Sequence, residues 1–265
     1  MRELVLQLSD ALTGGDDLDA ENALERVMTG LWFGLVSRAT AVGALADVPI
    51  ARAAMYDCLR TMCEAIAHVT WITARPPDML ARAVCIELGQ AKADVHNRRR
   101  LVTIQNAPWI SDQIRSAFRH SLEEGERAEE LVRVDHATPC PRCRGRGRGE
   151  GTASSWLRDR ASRRDAAVED VNRYTIWVWC SAYAHQLAPQ LHTREEANYV
   201  DLPEVRAQQA VGWAMQLLLT STPEIAYALR PDAADDIRGV RTWWERDMVE
   251  RYPWLRSHLG GGRRD

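Results

Sequence analysis

Long apolar runs are missing from this sequence. The longest, around residues 176–184 and 211–219, are too short to cross a bilayer, so no membrane-spanning segment is expected. Lysine is nearly absent too: Lys92 is the only one among 34 basic residues, the rest being Arg. A general Arg excess of this kind fits a G+C-rich genome and by itself specifies no partner. Runs of alternating β-branched residues are not evident, and Gly and Pro fall between periodic segments, which argues against a β-rich fold. The six Cys are scattered rather than arranged as a disulfide framework. With no basic stretch leading into an apolar segment at the N-terminus, this usage points to a soluble, cytoplasmic protein without a secretory signal.

What is present is a helical period along nearly the whole chain. A hydrophobic share of 46% over 265 residues is ample for a core. The net charge of −3 gives no general attraction to a polyanion, but it is unevenly spread. Between residues 136 and 165 eight Arg stand against three acidic residues, making that stretch +5 and the remainder −8.

Helices are expected from about Glu3 to Leu12, stopped by Gly14 and Gly15, and from Asp17 or Asp19 as N-cap to Ala46. Pro49 opens a third, running to Ala74 before Pro76 and Pro77. Asp78 caps a fourth, ending at the Arg98–Arg100 cluster, and Ser111 caps a fifth, ending near Val134. Helical signal returns over residues 165–188 and 203–220. Pro223 and Pro231 then each open a further helix. The predicted fold class is all-α, a multi-helix bundle with a long Gly/Arg/Cys-rich insertion loop. Residues 1–265 form one helical domain, 136–164 an inserted basic Cys-bearing loop, and 260–265 a disordered tail. No solenoid repeat is apparent.

The inserted loop carries the first candidate chemistry. His136, Cys140 and Cys143 bring an imidazole and two thiols within reach of one centre, as a zinc knuckle does. Zinc needs a fourth ligand, and a distant one such as His120, or one from another subunit, would have to supply it; the alternative is two free thiols. The arrangement Cys-Pro-Arg-Cys-Arg-Gly-Arg-Gly resembles one unit of the zinc domain of DnaJ chaperones, which stacks several such units where this chain has one. Arg142, Arg144, Arg146 and Arg148 alternate with Gly, a pattern suited to phosphate contact because the backbone can follow a strand while each guanidinium offers forked donors. Nucleic acid or a protein partner is expected through residues 142–164, against the alternative of a solvated loop.

Ser181 and His185, four residues apart, share a helix face near Tyr174 and Trp177. They are candidate catalytic residues, although no glycine elbow precedes the serine, and a structural histidine is the alternative. Arg60 and Glu64, with His68, Arg82 and Glu87, form pairs that a bundle can bury or leave as surface ion pairs. Asp16, Asp17 and Asp19 read as capping residues. Trp243, Trp244 and Trp254 mark an interface or ordinary core.

Arg60-x3-Glu64, Trp71, Pro76-Pro77, Arg82 and Glu87, followed by Tyr174 and Ser181-x3-His185, resemble a family of uncharacterised all-helical actinobacterial proteins, some of which are compared with HEPN domains. That resemblance implies a helical bundle of bacterial stress or defence type and brings with it no established activity. HEPN RNases place Arg and His four to six residues apart for metal-free RNA cleavage. Arg115-x4-His120 and Arg251-x6-His258 match that spacing, a number of matches that chance alone supplies in a chain with this much Arg. The leading expectation is a helical interaction protein contacting nucleic acid or a protein partner. The alternatives are a metal-independent RNase using Arg115 and His120 or His185, and a structural subunit whose zinc knuckle fixes a homo-oligomer.

Overall fold

The computed structural model describes residues 1–14, 20–48, 51–103, 110–135, 151–184 and 204–251, and every regular element among them is helical. The all-α expectation holds. The loop expected from residue 136 onward is described only from residue 151; residues 136–150, with the whole zinc-knuckle and Arg–Gly pattern, lie outside the described residues.

The first helix, α1 (Arg2–Thr13), ends where Gly14 takes φ 66°, a left-handed conformation that glycine adopts without a Cβ penalty. A Cβ there would also lie 2.6 Å from Nη1 of Arg230, so the guanidinium that donates to Thr13 O would have to shift. α2 (Ala23–Ala46) starts later than the aspartates suggested. Asn22 is its N-cap, its Oδ1 accepting from the Leu24 and Glu25 amides while the Glu25 carboxylate accepts from the Asn22 amide. This reciprocal arrangement satisfies three otherwise orphaned donors at the helix start.

α3 (Ala54–Thr73) is the central helix. It is buried almost all round, from Met55 and Tyr56 to Trp71 and Ile72, because α2, α4, α6, α7 and α8 all pack on it. A 3₁₀ turn at Pro76–Asp78 reverses the chain into α4 (Met79–Thr103). α4 then pairs with α5 (Asp112–Asp135), whose start accepts the expected help from Ser111: its Oγ accepts from the Ile114 amide at 3.4 Å.

Residues 151–161, expected inside the insertion loop, form α6 (Gly151–Ala161). Its apolar content is sparse, which hid it, but Ala153 and Leu157 are buried in the core, and Trp156 donates from Nε1 to Thr70 Oγ1 of α3 at 2.9 Å. α7 (Val168–Ala184) follows.

A second correction concerns Pro223, expected to open a new helix. It lies inside α8 (Glu204–Leu229). Proline removes one ladder donor, yet Ser221 and Thr222 on its N-terminal side donate to Leu217 O and Leu218 O, and the flanking Leu217–Leu219 and Ile225–Ala226 are buried. Burial of both flanks keeps the helix running through the defect. A 3₁₀ turn at Pro231–Ala233 leads into α9 (Ala234–Arg251), which packs on α1 and α8. One continuous apolar core joins residues of every helix except α5.

Candidate functional site

α7 and α8 both lie along α3 but barely touch each other, so a groove opens between them with α3 as its floor. On α7 it is lined by Asn172, Thr175, Ile176 and Trp179, and on α8 by Arg206, Gln209, Trp213 and Gln216. Each set repeats at three- and four-residue intervals and so occupies one helical face. The buried ring of Tyr56 closes the floor, and the cavity measures about 470 Å³. Two Trp rings from opposite walls, three carboxamides and one guanidinium therefore converge on a space the size of a small ligand.

Gln216 is the telling residue. It is 4% exposed and lines the groove opposite the α7 wall. A carboxamide carries two donors and an acceptor with two lone pairs, so it can match the polar edge of a ligand seated in the groove. Trp179, at 51% exposure, stands at the mouth with its ring accessible.

The wall carrying Trp179 is held by a buried polar network. Arg173 of α7, 3% exposed, donates to Thr220 O at 2.8 Å and meets Glu224 at 3.3 Å and Asp170 at 3.7 Å. Arg160 of α6 donates to Asp170 at 2.9 Å and lies 5.8 Å from the Trp156 ring centroid. Burial pushes the Glu224 carboxyl above its ordinary range, against the opposing pull of Arg173 and Arg160.

Two other hollows have less suitable chemistry. A 680 Å³ hollow beside Met1, Gly43 and Val211 is lined largely by short side chains, and its Arg52 donates to Ala46 O at 3.0 Å. A 400 Å³ cleft between α3 and α4 contains Glu64, His68 and Asp94. Both carboxylates there are engaged, Glu64 by Arg60 at 3.1 Å and Trp177 Nε1 at 3.3 Å, and Asp94 by Arg98 at 2.7 Å. The Arg60–Glu64 pair expected from sequence thus forms within α3, and the Trp177 Nε1 bond to Glu64 ties it to α7.

Of the residues singled out in the sequence, Ser181 is buried and its Oγ has no hydrogen-bond partner among the described residues; His185 lies outside them. Arg115 and His120 are not brought together. Five residues of helix set them about 140° apart. Arg115 donates to Ile110 O at 2.8 Å and pairs with Asp112 at 3.3 Å, whereas the exposed His120 faces Glu124 at 3.2 Å. His136, Cys140, Cys143, Arg142, Arg144, Arg146 and Arg148 lie outside the described residues. No group of three or more potential metal ligands occurs among the residues that are described. Likewise, no helix there is long and apolar enough to cross a membrane.

The groove was missed in the sequence because its aromatic and amide residues interrupt otherwise apolar helices singly. Its signal was the stripe Arg206, Gln209, Trp213, Gln216 on one face of α8. No family model matches the chain, and no curated protein or solved structure matches it either.

Proposed function

We propose that this is a helical interaction protein whose α7–α8 groove accepts an unstacked base and its adjoining phosphate from single-stranded nucleic acid. The observation that carries this reading is the convergence of Trp179 and Trp213 from opposite walls on a groove that the largely buried Gln216 also lines. Base edges present donors and acceptors side by side, which a carboxamide can match, and base faces stack on indole rings. Arg206 at the α8 end of the groove suits a phosphate oxygen. The Arg142–Arg148 run adds a second, sequence-level source of phosphate contacts, and its thiols keep zinc as a companion proposal that metal analysis of the purified protein tests. RNA cleavage of the HEPN type is the competing reading, and the separate partners of Arg115 and His120 do not favour it.

Anisotropy of a short labelled single-stranded RNA, titrated at several salt concentrations, tests the proposal. Trp179→Ala should weaken binding by about tenfold, the loss of one base-stacking contact, with the melting temperature unchanged because the ring is half-exposed. Arg206→Ala should reduce the salt dependence by about one phosphate contact. Absence of binding at low salt, or binding indifferent to both substitutions, removes the groove from this role. Shortening of the RNA would transfer the argument to the nuclease reading.

A further inference from the structure

The core makes no use of α5. Among helices, α5 packs chiefly on α4, and α4 itself contributes no buried residue after Val95. α5 and the last part of α4 therefore form an antiparallel two-helix hairpin whose turn end lies outside the core. Gly125 permits their close approach, since a Cβ there would lie 2.9 Å from Cδ of Arg98. Arg98 donates to Ser121 O at 2.6 Å and Arg99 meets Glu126 at 2.8 Å, which fixes the antiparallel register.

Charge is divided along this hairpin. At its outer end Arg98, Arg99, Arg100, Arg115 and Arg119 stand against Asp112, a net of +4. Nearer the core Glu123, Glu124, Glu126, Glu129, Glu130 and Asp135 stand against Arg127 and Arg133, a net of −4. Ion pairs take up part of this charge, Arg99 with Glu126 between the two ends and Arg98 with Asp94 and Arg133 with Glu130 beside it, and leave each end with its own sign. Apolar side chains are exposed at both ends: Leu101 and Ile114 at the basic one, Leu131 at the acidic one.

We infer that the hairpin is a self-association surface, which pairs end for end with the hairpin of a second copy of this chain about a two-fold axis. An element with +4 at one end and −4 at the other is complementary to itself once reversed, the condition for an isologous contact. Parallel pairing would set like charges together, and a polyanion would be repelled along the acidic half. The reversed arrangement also brings Leu101 and Ile114 against Leu131 of the partner subunit, covering apolar surface in a four-helix layer. This inference stands apart from the groove, whose lining comes from α3, α7 and α8 and includes no residue of the hairpin.

Sedimentation equilibrium of the full chain tests it. The parent should be dimeric at low ionic strength and dissociate as salt rises. Arg100→Glu with Arg119→Glu should weaken the dimer at least tenfold, and so should Glu123→Arg with Glu130→Arg. Each pair of changes brings its own end to zero. The two variants mixed together should therefore regain one of the two opposite-charge contacts and form a heterodimer weaker than the parent dimer. The chain carrying all four changes, neutral at both ends, should stay monomeric. Glu and Arg are both good helix formers, so circular dichroism should show unchanged helicity. A monomeric parent, single-end variants that dimerise like the parent, or a folded mixture that fails to associate would each overturn the inference.

Discussion

At the scale of single residues, side chains with poor local prospects carry the structure's information. Glu224 is an example: its side chain is 31% exposed, yet Oε2 is shielded from solvent without a hydrogen-bond partner, and the carboxyl is held above its ordinary value of 4.5. The folded chain keeps this proton over a range in which the unfolded chain has released it. The corresponding contribution to stability is present below about pH 4.5 and is lost as pH rises through the folded value. Denaturant melts between pH 4.5 and 7 should therefore show the parent losing stability relative to Glu224→Gln, which has no such proton. A constant gap between the two proteins across that range would contradict the assignment. Nothing in the sequence around Glu224 announced this, because the groups that oppose its shift, Arg173 and Arg160, come from α7 and α6.

At the scale of helices, boundaries followed the sequence where a local rule sets them and departed from it where a distant contact does. Gly14 stops α1 and Ser111 assists the start of α5 for reasons confined to a few residues. The end of α3 has a different cap. Trp71 lies in its last turn, where a carbonyl has no partner from the helix itself, and the buried Arg82 of α4 donates to that oxygen while its guanidinium lies 5.1 Å from the Trp71 ring centroid. Arg82→Ala should lower stability by about 2–3 kcal/mol, because a buried carbonyl loses a charged donor. Arg82→Lys should recover less than half, since an ammonium lacks the planar face that lies over the indole. Thermal or urea unfolding measures both, and a Lys variant as stable as the parent would show that charge alone matters there. The same dependence on distant contacts explains α6 and Pro223: α6 is stabilised by its seat on α3, and α8 continues past its proline because both flanks are buried.

For the whole molecule, burial sorts the cysteines. Cys58, Cys85 and Cys180, each set among apolar neighbours in the sequence, are buried, and Cys63 joins them. Burial pushes the Cys58, Cys63 and Cys180 thiols up, and the thiolate is the reactive form. Alkylation of native protein mapped by mass spectrometry should leave these four unmodified until the chain unfolds, while Cys140 and Cys143, set among Gly, Pro and Arg, are expected to react first. Uniform modification of all six would be incompatible with this core. The sequence by itself determined the helical class, most helix positions and the burial of those cysteines, because each depends on period, caps and local apolarity. Only the tertiary structure decided that α7 and α8 lean apart on α3 to open a groove, that Trp179, Trp213 and Gln216 converge on it, and that α5 stands outside the core. Those outcomes depend on which helical faces meet across long sequence separations, and a helical period gives each face without giving its neighbour.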